Sequence, residues 1–168
     1  MPKINDYVNY GMQGICKIED FRPMKFRFDC CKQDYYILKP VHQETARIFV
    51  PARNQELVKK MRPILSSEAI DEIILSVKKH NLPWIDDQKQ RAAKFRNILS
   101  RRDERELLQL ASCLYLKSKD STKGLCSSDA QILKKAEAII SQEFSFSLNI
   151  SAQKVGIYIR EKLGIPHC

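Results

Sequence analysis

Glycine is scarce in this chain, with five in 168 residues. None falls in a GxGxxG or Walker A arrangement, so no loop is built to cradle nucleotide phosphates. The three histidines, His42, His80 and His167, are scattered, with no HExxH, HxH or mixed Cys/His cluster around them. A metal centre is therefore not expected. No GxSxG elbow appears, and no Cys–His nucleophile pair can be assigned from unrelated positions. Asp86-Asp87 offers adjacent carboxylates. Neighbours on a helix diverge by about 100°, so such a pair suits a helix N-terminus better than one shared substrate atom. The expectation is a protein without catalytic activity, cofactor or small-molecule substrate.

Long apolar runs are missing too. No stretch approaches the roughly 18 residues of a membrane span. Met1-Pro2-Lys3-Ile4-Asn5-Asp6 lacks the apolar core of a signal peptide. A cytoplasmic chain without a membrane partner is expected. The six cysteines (Cys16, Cys30, Cys31, Cys113, Cys126 and Cys168) include no CxxC pair. Without a secretory signal they read as free buried or half-buried thiols rather than disulfides, with Cys168 exposed at the chain end. Positive charge, in contrast, is abundant. The formal net charge of +9 favours a polyanionic partner, nucleic acid first.

The hydrophobic period changes along the chain. Up to about residue 51, β-branched and aromatic runs alternate with Gly, Pro, Asp and Asn. Strands are expected at Asp6-Tyr7-Val8-Asn9-Tyr10, Ile15-Cys16-Lys17-Ile18-Glu19-Asp20-Phe21, Phe26-Arg27-Phe28, Tyr35-Tyr36-Ile37-Leu38-Lys39 and Ala46-Arg47-Ile48-Phe49-Val50. Five short strands in this length suit a small, strongly bent barrel of the Tudor or SH3 kind. Beyond Pro51 the period is helical. Ile70, Ile73, Ile74 and Val77 fall on one face of a helix beginning near Ser66 or Ser67. A second helix from Asp86 to Ser100 would bury Ala92, Phe95, Ile98 and Leu99. Asp103 with Glu106 resembles a capping box for a third. A polar loop at 117–126 precedes a helix capped at Ser128, and Ser151 caps a last one ended by Gly164 and Pro166. The expected class is α+β: a β domain at 1–52, a connection at 53–65 and an all-α domain at 66–168.

Trp84 is the single tryptophan. It follows Pro83 and precedes a helix bearing Lys89, Arg91, Lys94 and Arg96, with Arg101 and Arg102 beyond. A flat apolar ring beside positive charge suits stacking on, or wedging into, nucleic acid. A lone tryptophan is more often a core anchor, and flanking cations more often snorkel around a buried stripe.

Short motifs then line up in order. Asp6-Tyr7-Val8-Asn9-Tyr10 with Gly14-Ile15-Cys16-Lys17-Ile18-Glu19 resembles the opening "GDxVVYxxxGVxxIxxIE" of the CarD/CdnL/TRCF family. Tyr35-Tyr36-Ile37-Leu38 resembles its "YYVL" strand, Ile48-Phe49-Val50-Pro51 its "(V/I)xVP" strand, and Met61-Arg62-Pro63-Ile64-Leu65-Ser66 its "GxRxLxS" joint. Trp84 falls where that family has its tryptophan, and residues 100–108 resemble its "SGDxxEL" step. The chain departs at Asn9, at Phe49, and at Arg101-Arg102, where relatives carry a glycine.

The resemblance implies a non-catalytic bacterial transcription regulator with a Tudor-like barrel. An edge strand would dock on the RNA polymerase β subunit through Arg47, Ile48, Phe49, Val50 and Pro51. The helical domain would lie on promoter DNA in the nucleoid, stabilising the open complex. Trp84 would wedge into the minor groove, while Lys89, Arg91, Lys94, Arg101 and Arg102 met the backbone. Two alternatives stand beside it: a stand-alone nucleic-acid-binding module, and a protein-interaction adaptor with Trp84 in its core.

Overall fold

The computed structural model describes residues 2–27 and 29–165, so the expected exposure of Cys168 and the position of Phe28 lie outside the described residues. It divides into two compact units, Met1–Ile64 and Leu65–Cys168.

In the first unit, β1 (Tyr7–Tyr10), β2 (Ile15–Met24), β3 (Gln33–Pro40), β4 (Ile48–Pro51) and β5 (Met61–Pro63) form one antiparallel sheet in the order β4-β3-β2-β1-β5. Gly11 and Gly14 turn β1 into β2 at φ 50° and 69°, values that cost other residues steric strain. The β2–β3 register slips between Ile18 and Asp20, a bulge that bends the long strand. Val8, Cys16, Ile18, Tyr36, Leu38, Val50 and Met61 make the core.

Two expectations are corrected here. The barrel is not closed, because β4 and β5 remain edges. The short helix α1 (Gln55–Lys59), capped by Asn54 at 3.2 Å from the Leu57 N–H, packs on both of them. The fifth strand is not Phe26-Arg27-Phe28 but Met61–Pro63, paired with β1. Of the stretch 53–65, expected as a connection, residues 53–64 fall in the first compact unit. Phe26 lies instead in a turn, its N–H donating to the Asp29 carboxylate at 2.8 Å and its carbonyl accepting from the Asp29 N–H at 3.0 Å.

The second unit holds α2 (Ser67–Lys79), α3 (Gln88–Arg101), α4 (Glu104–Asp120), α5 (Ser127–Leu148) and α6 (Ala152–Leu163). Their starts follow sequence chemistry. The side chains of Ser66, Asp87 and Asp103 accept N–H bonds from Ala69, Gln90 and Glu106. Apolar stripes from all five helices merge in one core, with Phe95, Leu107, Leu110, Leu114 and Phe144 fully buried. Asp71 on α2 receives the Tyr158 hydroxyl at 2.5 Å and the Lys162 ammonium at 2.7 Å, which fastens α6 to α2. The loop before α5 starts at Ser121, later than the composition suggested, and α5 begins at Ser127 behind Cys126 rather than at a capping Ser128.

Among the described cysteines all are free. Burial pushes the Cys16 thiol up to about 11. Cys30, Cys31 and Cys126 are exposed rather than covered. No described helix is long and apolar enough to cross a membrane.

Candidate functional site

Residues 80–87 cross from α2 to α3 without regular structure, and Trp84 sits in their middle. The crossing is pinned at one end, where Gln109 of α4 donates to the His80 carbonyl at 3.2 Å. At the other, Asp87 caps α3. Trp84 itself is half-buried. It packs on the core through Phe95, edge to face, with ring centres 6.5 Å apart and planes at 63°. The indole is therefore neither a core residue nor a free wedge. One part of it is covered and another remains open to solvent.

Two cations lie over this ring. The Arg91 guanidinium is 4.4 Å from its centre and the Lys117 ammonium 4.9 Å. Their circumstances differ. Arg91 is only 7 % exposed. Its Nε and Nη2 donate to Asp129 Oδ2 of α5 at 3.1 and 3.0 Å, and its Nη1 to the carbonyls of Ile85 and Asp86 at 2.8 and 3.1 Å. Burial disfavours its charge, but the Asp129 carboxylate outweighs that, so its pKa is raised. A guanidinium that is 7 % exposed and commits four of its five N–H donors to three acceptors inside the protein is poorly placed to meet a phosphate. Arg91, expected as a phosphate contact, is buried and paired with Asp129. Lys117 is exposed on α4.

The other expected cations divide over α3. Lys89 and Arg96, seven apart, share one edge; Lys94 and Arg101, also seven apart, share the opposite edge. All four are exposed. Arg101 is 3.2 Å from Glu106, a surface pair worth about 0–1 kcal/mol. Arg102 takes the left-handed conformation at φ 53° that ends α3, and its side chain is half-buried. A glycine would meet that turn without strain.

In the sheet unit, β4 pairs with β3 alone, through Leu38↔Ile48, Ile37↔Phe49, Tyr36↔Val50 and Tyr35↔Pro51. Its other side offers unpaired backbone groups, a template for a further strand. Val50 is fully buried, so only its backbone lies at this edge, whereas Phe49 is 39 % exposed. The Phe49 ring meets Phe26 edge to face at 5.1 Å, and Phe26 meets Tyr35 at the same distance. The Tyr35 hydroxyl donates to Asp29 at 2.9 Å and accepts from Gln33 at 2.8 Å. The Phe26 N–H, helped by these side chains, holds the Asp29 carboxyl below its ordinary range. Arg47 is bound by Glu19 and donates to the carbonyls of Glu44 and Ala46, bracing the turn before β4.

Residues 3–65 match the model of the CarD-like/TRCF RID domain, and they span the open sheet through Ile64, the last residue of the first unit. The N-terminal unit is thus similar to the CarD-like/TRCF RID domain. No curated protein matches the chain. The RID domain is an RNA polymerase β-subunit interaction domain, so the match suggests an RNA polymerase-interacting transcription factor. From Ser66 onward the helical unit lies outside the match.

Sequence reasoning missed three residues here. Lys117 carries no local signal, since 33 positions separate it from Trp84 in the chain. Asp129 reads as an ordinary first-turn acid. Phe26 was noticed, but as part of a strand rather than as the ring beneath Phe49.

Proposed function

We propose that this protein is a non-catalytic bacterial transcription regulator that holds RNA polymerase with one unit and promoter DNA with the other. The β4 edge pairs with a strand of the polymerase β subunit, and Phe49 supplies the apolar side-chain contact beside it. The helical unit meets promoter DNA in the nucleoid at the upstream margin of the melted region. There the open part of the Trp84 indole inserts at an unstacked minor-groove step and slows reclosing of the duplex. Lys89, Lys94, Arg96, Arg101 and Lys117 supply backbone charge without base specificity.

The observation that carries this reading is the RID match over residues 3–65, together with a β4 strand that has a partner on one side only. The half-open setting of Trp84 beneath an exposed Lys117 supports the DNA part. The competing adaptor reading draws support from the Phe95 contact, which ties the same ring to the core.

Open-complex lifetime on a promoter template tests the whole proposal. Wild-type protein should lengthen it, and Phe49→Asp should abolish the gain along with co-purification of the β subunit. If wild-type protein neither binds β nor lengthens the lifetime, the proposal fails.

A further inference from the structure

We propose that Arg91 and Asp129 form a clamp that presets the Trp84 indole for DNA, so that Arg91 is a positioning residue and not a phosphate contact. The inference rests on the reading of Trp84 as the ring that meets DNA.

Three features of Arg91 support it. First, its guanidinium touches both the ring and the chain that carries the ring. It lies 4.4 Å from the indole centre while Nη1 holds the carbonyls of Ile85 and Asp86, the next two residues after Trp84. Backbone position and ring position are thereby set by a single planar group. Second, the clamp is anchored in a distant part of the sequence. Asp129 lies in the first turn of α5, 38 residues away, and is 3 % exposed. Two donors of one guanidinium on a single buried carboxylate oxygen fix the plane of the guanidinium, and a lysine cannot reproduce that geometry. Third, an unpaired buried cation is costly, so the ring cannot carry Arg91 away with it. The second cation on the ring, Lys117, is exposed and has no such anchorage.

The functional consequence is preorganisation. A ring free to turn about the Pro83–Trp84 joint would lose orientational freedom on entering a base step, and that loss weakens binding. A ring already held on Arg91 loses less. Arg91 thus acts on DNA through Trp84 alone.

Because Trp84 is the single tryptophan, its fluorescence reports the clamp directly in the full-length protein. Arg91→Met removes the charge but keeps an apolar stem, Asp129→Asn weakens the anchor with little change of shape, and Arg91→Lys keeps the charge without the fork. In each variant acrylamide quenching of Trp84 should rise as the ring loses its cover, while far-UV circular dichroism stays that of the folded protein. Unchanged quenching in Asp129→Asn and Arg91→Lys overturns the clamp, whatever Arg91→Met does to folding.

A double-mutant cycle on open-complex lifetime then separates positioning from plain stability. Asp129→Asn should shorten the lifetime in the wild-type background and leave it unchanged when Trp84 is already alanine. An equal shortening in both backgrounds overturns the positioning role. If Trp84→Ala alone leaves the lifetime unaltered, the DNA reading of Trp84 fails, and with it the use of the clamp. A rise in quenching would still be seen in that case, so the two failures are distinguishable.

Discussion

Replacing Trp84 by alanine should cost the helical unit about 3–4 kcal/mol. A fully buried aromatic loses about 3–5 kcal/mol on truncation, and this ring is half-buried against Phe95, which keeps about half of that figure. The Arg91 guanidinium 4.4 Å above the ring centre adds about 0.5–2 kcal/mol, toward the upper end because it is desolvated. At about 4–8 °C per kcal/mol for a unit of this size, the melting temperature should fall by roughly 12–32 °C. The assay is urea and thermal unfolding followed by far-UV circular dichroism, since the fluorophore is removed. Trp84→Phe should recover about half the loss by restoring a ring on Phe95. A loss below about 0.5 kcal/mol, the range of unremarkable surface changes, would mean that the ring does not pack as described. A loss of about 5 kcal/mol or more, typical of a full core aromatic, would leave no open ring for DNA and favour the adaptor.

The Asp71 junction gives a pH-dependent test. The Lys162 ammonium, then the Tyr158 hydroxyl, hold the Asp71 carboxyl below its ordinary range. The stability it confers is fully present above the unfolded value near ~4 and is lost as pH falls through the lower folded value. Asp71→Asn should lower stability by about 1 kcal/mol at neutral pH and flatten the acid limb of a urea-midpoint profile; equal limbs would refute the pairing. The cysteines give a second test. With its thiol raised to about 11 by burial, Cys16 should resist alkylation at mildly alkaline pH in the folded protein, while exposed Cys30, Cys31 and Cys126 react. Modification of native Cys16, read by mass spectrometry, would contradict its burial.

Much of the architecture was legible because it rests on local rules. The Ile70, Ile73, Ile74, Val77 stripe could only be a helix face, and all four are buried. Asp87 and Asp103 cap their helices through the short-range bonds that their side chains favour. The strand motifs at Tyr7–Tyr10, Gln33–Pro40 and Ile48–Pro51 fell close to where alternation put them. The failures share one cause. Met61–Pro63 is too short to show a period, and it is a strand only because β1 has an open side to receive it. Phe26 has strand-like composition, but the Asp29 carboxylate turns its backbone away from the sheet.

The clearest case is the set of basic residues after Trp84. Their number, their spacing on α3 and the proline before the tryptophan are properties of the chain, as is the order of motifs that points to the CarD-like family. The distinct fates of those residues are not. Arg91 and Lys94 lie three positions apart on one helix, and the first is sealed against Asp129 while the second faces water. That difference depends on where α5 begins in space, a position fixed by the packing of all five helices and by no local signal. The sequence thus determines which residue types and helix faces exist and which family the N-terminal unit resembles. Only the tertiary structure decides which charge is spent inside the protein and which remains for a partner, because burial and pairing depend on elements far apart in the chain.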